Sequence, residues 1–404
     1  MTNIAILGFG VVGGGVADLI TKNYKEVTQL GGDDINIKYI LDLRDFPDSP
    51  FGDKIVHDVG VIINDSEVNT VIEVMGGSHP AYEFTVAALR SGKNVITSNK
   101  EVVANYGDEF LALAEKYGVS YRFETAVGGG IPVISPLISF VRQNKVREVR
   151  GILNGTTNYI LTKMFTYGDS FESSLNDAQQ KGYAERNPDA DILGIDACRK
   201  IAILSALATD KLPDVNKIPT EGITGIRKED VFAADKLGCC IKLLGRCIIR
   251  EKDAPYIMVA PFLISKDYSL SGVSGVYNAV EVVAEPLGNV MFYGPGAGAG
   301  PSASAIVGDL VQIMRSGTQV KSPVFVKDGY DASLSFEGYK SRWYVALPPE
   351  SEILATRTFG EVSFIEGTRE CAFVTEKLCE SEMKTKLKKL TDSGCVILSS
   401  IRFL

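Results

Sequence analysis

The sequence has no long hydrophobic run and no excess of positive charge. Its longest apolar candidate, Ile201–Ala208, is far shorter than the roughly 20 residues that span a bilayer. The formal net charge is −8 and no long Lys/Arg run occurs, so nucleic acid and anionic membranes are not expected partners. The N-terminus shows no basic segment before a cleavable apolar stretch. We therefore expect a cytoplasmic protein.

Cysteine and histidine are also scarce or poorly placed for chemistry. The seven cysteines are scattered, odd in number and lack CxxC spacing, which argues against a disulfide framework and a zinc site. We expect them to be buried free thiols. Of the two histidines, His79 precedes a proline and His57 lies in an ambiguous stretch, so neither has the setting of a general base. Catalysis must then come from Lys, Asp, Glu or Tyr.

The first third of the chain alternates strand-like and helix-like segments. At 404 residues, two or three domains are expected. The alternation predicts an α/β fold, with a parallel sheet covered by helices on both faces. The predicted strands are Ile4–Leu7, Ile35–Leu41, Thr70–Met75, Asn94–Thr97 and Val119–Phe123, and the predicted helices are Val11–Lys22, Ala81–Ser91 and Glu101–Tyr117.

The pattern changes from about Gly130 onward. Mixed elements predict a second, α+β domain over 131–320, although the helix at about 300–316 is assigned to complete the first domain, residues 1–130. Its elements are helices Val133–Asn144, Asn158–Tyr167 and about Ile192 to Thr209, and strands Val146–Leu153, Ile257–Ile264, Val276–Val283 and Val290–Tyr293. Residues 340–404 predict a small ferredoxin-like βαββαβ module.

A glycine-rich turn follows the first predicted strand. Gly8-Phe9-Gly10-Val11-Val12-Gly13 fits GxGxxG and opens an amphipathic helix, which is the context of a Rossmann dinucleotide-binding loop. The helix N-terminus supplies N–H groups for the phosphates. After the second strand, Asp42 suits the ribose hydroxyls of NAD, whereas Arg44 suits the 2′-phosphate of NADP. Both cofactors remain open on the residues alone.

Two further regions concentrate groups that can do chemistry. Thr97–Glu101 follows a strand end, where ligands bind in open parallel sheets, and it contains Ser98 and Lys100. In the second region, Asp196 and Lys200 are four residues apart on one helix face, the spacing of an ordinary solvated ion pair. Four more acids in the segment and the neighbouring apolar residues, which predict a largely buried helix, weigh against that interpretation. Buried acids around one lysine form a group whose proton affinity can be tuned.

The segment 178–200 carries a long pattern. It reads Ala, three residues, Gly-Tyr-Ala, two residues, Asn-Pro, two residues, Asp-Ile-Leu-Gly-Ile-Asp, three residues, Lys. In this pattern the chain resembles the homoserine dehydrogenases. The phosphate loop, Thr97–Lys100, Glu124–Pro132, Gly151–Tyr159 and the loop Gly296–Gly298 fit the same family, so the resemblance covers roughly residues 1–315.

The resemblance implies interconversion of L-homoserine and L-aspartate 4-semialdehyde in threonine and methionine biosynthesis, with a small-molecule substrate and a homodimer or homotetramer. It implies Lys200 as proton donor, Lys100 near nicotinamide and substrate, and Asp191 supporting the lysine. The implied substrate contacts are Glu185, Asp196, Thr156 and Tyr183. Gly182 and Gly298 would touch the cofactor, for which the family favours NADP.

The resemblance also implies a monovalent-cation site, Na⁺ or K⁺, at Glu124 with the carbonyl groups of Val127, Gly129 and Ile131. Carboxylate and carbonyl oxygens suit a hard cation. The C-terminal module resembles an ACT regulatory domain, but the match is poor: the usual first loop carries an acidic residue and a glycine for amino-acid binding, whereas here it reads Ala346-Leu-Pro-Pro-Glu-Ser-Glu-Ile-Leu. Threonine feedback and a purely structural or oligomerising role both stay open.

Two alternatives remain. One is another Rossmann oxidoreductase of amino-acid semialdehydes; a phosphorylating enzyme of that kind needs a cysteine nucleophile, and Cys198 is predicted inside a helix. The other is a non-catalytic regulator that senses NAD(P) and an amino acid.

Overall fold

The computed structural model describes residues 1–251, 253–316, 323–327 and 336–404. By internal contacts the chain divides into two compact units. The first comprises residues 1–146, 202–215 and 284–329, and the second comprises 147–201, 216–283 and 330–404. The sequence predicted three domains with other boundaries, and that division stays a prediction. Within the described ranges, no helix has both the length and the apolarity needed to cross a bilayer.

The first unit is built on a parallel sheet with strand order β3-β2-β1-β4-β5-β6. The strands are β1 (Thr2–Leu7), β2 (Ile35–Leu41), β3 (Ile55–Val56), β4 (Val68–Glu73), β5 (Asn94–Thr97) and β6 (Tyr121–Arg122). The order reverses between β1 and β4, as in a Rossmann domain, and dinucleotides bind at this switch point. The α/β prediction for this part is confirmed.

Helices cover this sheet because their apolar faces pack on its buried strands. Their bounds are Val11–Lys22, Tyr24–Gly31, Val59–Ile63, Ala81–Arg90, Lys100–Tyr117, Ile134–Ser139 and Ala299–Ser316. The last of these places Ile306 and Leu310 in the same core as Ile4 and Ile6 of β1. The short strands β8 (Lys211–Leu212) and β13 (Val326–Lys327) pair in this unit, which also holds β12 (Gly288–Pro295).

The register of the parallel strands places their carboxyl ends side by side. Leu7 of β1 pairs with Leu41 of β2 and with Glu73 of β4, which in turn pairs with Thr97 of β5. The segments that follow these four residues therefore emerge at one edge of the sheet. These segments are the glycine loop, the turn at Asp42, the loop after Glu73 and the stretch from Ser98.

The second unit holds a mixed sheet in the order β11-β7-β9-β10-β19-β15-β17-β16. Its strands are β7 (Lys145–Ile152), β9 (Cys239–Ile248), β10 (Tyr256–Ser265), β11 (Tyr277–Glu285), β15 (Trp343–Leu347), β16 (Ser363–Phe364), β17 (Cys371–Val374) and β19 (Ser399–Phe403), and the short strands β14 (Lys340–Ser341) and β18 (Leu378–Cys379) pair separately. Its helices are Gly155–Tyr167, Phe171–Gln180, Asp189–Ile192, the first half of Ile195–Thr209, Lys228–Lys236, Glu352–Phe359 and Glu380–Asp392.

The C-terminal segment has the predicted βαββαβ order of elements. Its strands pair antiparallel in the order β19-β15-β17-β16, which is the ferredoxin-like arrangement. Strand β19 also pairs parallel with β10, so the module continues the sheet of the rest of the unit.

Several predicted elements differ from the structure. Strand β9 was not predicted, because Lys242, Gly245 and Arg246 interrupt its apolar pattern, yet nearly the whole strand is buried. The helices Tyr24–Gly31, Phe171–Gln180 and Lys228–Lys236 were also missed. The helix predicted from Ile192 begins at Ile195, because Gly194 has φ +82° and ends the preceding short helix.

Another predicted helix is shorter in the structure. The helix predicted over Val133–Asn144 is limited to Ile134–Ser139, followed by a single 3₁₀ turn. The helix predicted at about 300–316 spans Ala299–Ser316, with Pro301 in its first turn, where a proline is tolerated. All seven cysteines are free thiols; Cys379 and Cys395 are partly exposed rather than buried.

Candidate functional site

The glycine loop has the geometry that its sequence pattern predicts. Gly8 has φ +101°, a backbone conformation that favours glycine. A Cβ on Gly13 would lie 2.0 Å from the carbonyl oxygen of Gly8, so only glycine permits this close packing of helix on strand. A Cβ on Gly10 would meet nothing within 4 Å, which leaves the backbone open to an approaching pyrophosphate. Val11 and Val12 begin the helix, whose first turn carries no acidic residue.

Asp42 joins this loop to the end of β2. Its Oδ2 accepts a hydrogen bond of 2.9 Å from the backbone N–H of Phe9. Arg44 folds back onto the same carboxylate, with Nε donating to Oδ1 at 2.9 Å and Nη2 donating to Oδ2 at 3.0 Å. The hydrogen bonds from Arg44 hold the pKa of Asp42 below its usual range. The carboxylate is therefore ionised and neutralised by its neighbour at the position predicted to face the ribose.

The segment after β5 places Lys100 at the start of a helix. Asn99 caps this helix by accepting hydrogen bonds from the backbone N–H groups of Glu101 and Val102. Ser98 donates its backbone N–H to the carbonyl oxygen of Glu73 at 3.2 Å. Lys100 is thus the first helical residue beyond the carboxyl edge of the sheet. The predicted position of Lys100 relative to the sheet is confirmed.

Lys200 and Asp196 form a buried ion pair in the second unit. Lys200 Nζ lies 2.7 Å from Asp196 Oδ2, and the two residues are 8% and 5% exposed. Nζ also donates to the carbonyl oxygen of Leu153 at 2.7 Å. An ammonium group has three N–H donors. Two of these have acceptors among the described residues.

Asn154 connects the acids around this lysine. Its Nδ2 donates to Asp191 Oδ1 at 2.7 Å and to Asp196 Oδ2 at 3.0 Å, while its Oδ1 caps the helix Gly155–Tyr167 at the N–H of Thr157. Burial raises the pKa of the Asp191 carboxyl. Asn154 lies in the segment Gly151–Tyr159 that fits the family, but its sequence context alone predicts no role for it. Its signal is an asparagine between a buried strand and a Gly-Thr helix start.

The other predicted substrate residues are less tightly held. Thr156 Oγ1 donates to the carbonyl oxygen of Tyr183 at 2.7 Å, which ties the helix start to the loop that contains Gly182. The carboxylate of Glu185 is exposed and makes no hydrogen bond or ion pair within the described parts of the chain. The structure therefore groups Lys200 with Asp196 and Asp191 but leaves Glu185 outside their hydrogen-bond network.

Glu124 caps a helix. Its two carboxylate oxygens accept three hydrogen bonds of 2.7 Å from the backbone N–H groups of residues 133–135. In the same buried loop, the carbonyl oxygens of Val127, Gly129 and Ile131 accept no hydrogen bond from any described residue. Residues 1–251, 253–316, 323–327 and 336–404 contain no cluster of three or more His, Cys, Asp or Glu suited to a metal.

Gly298 directly precedes the helix Ala299–Ser316. Its φ is +120°, and its carbonyl oxygen accepts a hydrogen bond from Ser302 N in the first helical turn. The neighbouring Gly296 approaches Gly129 so closely that a Cβ on Gly129 would lie 2.5 Å from the Gly296 carbonyl oxygen. This loop lies in the first unit with the phosphate loop and Lys100, whereas Lys200 lies in the second.

Comparisons with known proteins agree on one family. The homoserine dehydrogenase family model matches residues 132–311, and the model of the homoserine dehydrogenase NAD binding domain matches residues 8–124. The homoserine dehydrogenase of Bacillus subtilis is 35% identical over 412 residues, covering 96% of this chain and 94% of its own.

Solved structures that match this chain are also homoserine dehydrogenases. A homoserine dehydrogenase from Thiobacillus denitrificans matches with TM-score 0.90 and 31% identity, over 100% of this chain and 98% of its own. A mutant of a hyperthermophilic archaeal homoserine dehydrogenase in complex with NADPH matches with TM-score 0.66 and 28% identity, over 77% of this chain and 97% of its own. The chain therefore belongs to the homoserine dehydrogenase family of NAD(P)-dependent oxidoreductases.

Proposed function

We propose that this protein interconverts L-homoserine and L-aspartate 4-semialdehyde, with Lys200 as the group that exchanges a proton with the substrate oxygen. The observation that carries the assignment of Lys200 is its buried ammonium, held by Asp196 and the Leu153 carbonyl, with a third N–H that has no acceptor in the described part of the chain. Reduction of an aldehyde builds negative charge on oxygen, which a positioned ammonium both stabilises and protonates.

The acids near Lys200 would bind the substrate ammonium. Asp196 pairs with Lys200 and shares the Asn154 side-chain amide with Asp191. An α-ammonium explains why several carboxylates surround one lysine, since an aldehyde without it would need none of them. Glu185 and Tyr183, both exposed in a loop, would complete the substrate contacts, and Thr156 would hold that loop in place.

The nicotinamide cofactor would lie across the carboxyl edge of the parallel sheet in the first unit. When bound, it supplies or accepts the hydride. The glycine loop and Gly298 would contact its phosphates, and Ser98 and Lys100 would face its nicotinamide half. We favour NADP(H) over NAD(H), because Arg44 neutralises Asp42 and thereby reduces the repulsion between that carboxylate and a 2′-phosphate. The archaeal relative solved with NADPH supports the same choice.

A monovalent cation, Na⁺ or K⁺, would be held by the carbonyl oxygens of Val127, Gly129 and Ile131. These groups are buried and accept no hydrogen bond from the described part of the chain, and buried carbonyls normally have a partner. Because all three are neutral, they suit a hard ion of single charge. The carboxylate of Glu124, which also caps a helix through three backbone hydrogen bonds, would complete this set of oxygen ligands.

The ferredoxin-like C-terminal module would act as an ACT-like domain in regulation or oligomerisation, within a homodimer or homotetramer that serves threonine and methionine biosynthesis. Its first loop, Ala346-Leu-Pro-Pro-Glu, departs from the glycine-containing amino-acid loop of ACT domains. The cytoplasmic location also stays a prediction.

A steady-state assay tests the proposed function. Purified protein is given homoserine with NADP⁺ or NAD⁺ in parallel, each with and without threonine and with Na⁺, K⁺ or neither. We expect homoserine-dependent reduction with a higher kcat/KM for NADP⁺. Cofactor binding without any turnover would favour the non-catalytic regulator instead. Loss of the NADP⁺ preference in Arg44→Ala would support the assignment of Arg44.

A further inference from the structure

Glu73 is a buried carboxyl with no part in the proposed contacts to substrate, cofactor or cation. It is the last residue of β4 and is fully inaccessible to solvent. It pairs with Leu7 on one side and with Thr97 on the other, so it lies in the row of strand ends at the ligand-binding edge. Burying a carboxyl group is costly unless hydrogen bonds compensate it. Its partners therefore indicate what it does.

The carboxyl group of Glu73 contacts two different segments. Oε1 accepts the backbone N–H of Met75, in the loop after β4, at 2.8 Å. Oε2 accepts the hydroxyl of Thr97, at the end of β5, at 2.6 Å. The side chain of Asn99 is a third donor.

These partners are themselves joined to the start of the Lys100 helix. Thr97 Oγ1 accepts the backbone N–H of Asn99 at 2.9 Å, and Asn99 Nδ2 donates to the carbonyl oxygen of Gly77 at 2.7 Å. Asn99 also caps the helix that begins with Lys100. One carboxyl group thus links the loop of residues 74–77 to the segment directly before Lys100.

In a sheet of this order the two halves of a dinucleotide lie on either side of the switch point between β1 and β4. Asp42 lies on the side of β2, so β4 and β5 underlie the nicotinamide half. We propose that Glu73 is a positioning residue, whose carboxylate holds the loop after β4 and the segment before Lys100 in the arrangement that hydride transfer requires. This inference rests on the proposed function, because it assumes a nicotinamide above these strands.

The carboxylate should hold both segments more strongly when it is ionised. Hydrogen bonds to an ionised acceptor are stronger than those to a neutral one. Burial raises the pKa of Glu73 to about 7, against the opposing effect of its three neutral donors. Protonation turns one carboxyl oxygen into a donor and reverses or breaks the bond from Thr97. The hydrogen bonds by which Glu73 holds the two segments therefore weaken as the pH falls through about 7.

Other ionisable groups surround Glu73 and must be distinguished from it. Tyr121 on β6 is a fully buried phenol whose pKa is raised by burial first and by the charge of Glu73 second, so it stays neutral through this pH range. Leu7 on β1 and Met75 in the following loop carry no charge. Lys100 and Glu101 are the charged groups at the start of the helix behind Asn99.

The test compares the wild-type protein with Glu73→Gln from about pH 6 to about pH 9. Glutamine keeps the size and an acceptor for Met75 but resembles the protonated acid at every pH. We expect kcat to fall about tenfold at the alkaline end, the loss typical of a hydrogen bond to a charged group. The ratio of wild-type to variant kcat should approach one at the acid end, and the affinity for NADPH measured by calorimetry should stay nearly the same.

A constant wild-type to variant ratio at every pH, or no difference at all, would overturn the role of Glu73. Absence of homoserine turnover in the wild-type protein would instead overturn the proposed function, since that result does not involve the variant. Taking the ratio also cancels protonation steps shared by both proteins.

A second variant keeps the test decisive if Glu73→Gln does not fold. Thr97→Val removes one donor to the carboxylate and should move the wild-type inflection to higher pH. Thr70→Val is the matched control. Thr70 lies on β4, the strand of Glu73, and its buried hydroxyl has no hydrogen-bond partner in the described chain. Identical pH profiles for Thr97→Val and Thr70→Val would also overturn the inference.

Discussion

Two Asp–Lys pairs with the same spacing differ entirely in their surroundings. Asp18 and Lys22 are four residues apart on the first helix, at 3.1 Å, with side chains 57% and 73% exposed. Asp196 and Lys200 have the same spacing at 2.7 Å, with side chains only 7% and 10% exposed. An exposed pair of this kind contributes a few tenths of a kcal/mol. The i,i+4 pattern therefore carries no function by itself, and burial makes the difference.

The buried pair also has partners that fix its geometry. Asn154 and the carbonyl of Leu153 hold Asp196 and Lys200 respectively. Desolvation strengthens each of these interactions and makes loss of any one costly. A proton-transfer group needs this fixed position, because its distance to the reacting oxygen determines the rate.

The largest expected contrast between the two pairs is in turnover. Lys200→Ala should lower kcat by about 10²–10⁴, because it removes the group that meets the developing charge on oxygen. Lys22→Ala should leave kcat unchanged. Steady-state kinetics, with NADPH binding measured by calorimetry and folding by thermal melting, checks both. Full activity in a folded Lys200→Ala protein would contradict the assignment of Lys200.

The next contrast is in stability. Asp196→Ala leaves the Lys200 ammonium buried without its carboxylate, which should destabilise the protein by about 3 kcal/mol. Asp18→Ala should cost less than about 1 kcal/mol, because water replaces the lost partner. Hydrogen exchange in the helices Ile195–Thr209 and Val11–Lys22 reports each effect locally. Equal losses of protection would mean that burial does not distinguish the pairs.

The smallest expected effect concerns the residue that links the buried acids. Asn154→Ala should lower kcat by about tenfold, because Asp191 and Asp196 both lose a hydrogen-bond donor. It also removes a helix cap, so Ser170→Ala, which removes the cap of Phe171–Gln180, is the matched control. Each variant should lose about 1 kcal/mol of helix stability. Equal kcat values in the two variants would mean that Asn154 acts only as a helix cap and does not support turnover.

The phosphate loop and the strand ends could be predicted from local patterns. GxGxxG after an apolar strand requires a positive φ at Gly8 and a missing side chain at Gly13, and both occur. The four strands that carry the edge were predicted at nearly their observed bounds, because fully buried parallel strands read as continuous β-branched runs. The position of Lys100 followed from the end of β5.

Other features depend on contacts between distant segments. Strand β9 is buried although it contains Lys242 and Arg246, because Lys242 donates to Val273 O and Arg246 pairs with Glu148. Such compensation is invisible to a hydropathy pattern. For the same reason the sequence pattern showed Glu73 only as part of an apolar strand and Asn154 only as one residue of a family motif.

By itself the sequence determined the cofactor class, the alternation of elements in the first unit and the family, because these depend on short patterns and on a 23-residue motif over 178–200. The tertiary structure decided which polar residues are out of water and what they contact. It buried the pair Asp196 and Lys200 and left the pair Asp18 and Lys22 exposed. It also brought Glu73 into hydrogen-bond contact with Thr97, just before Lys100. The physical reason is that the free energy of a charge depends on its surroundings, which strands and helices distant in sequence supply.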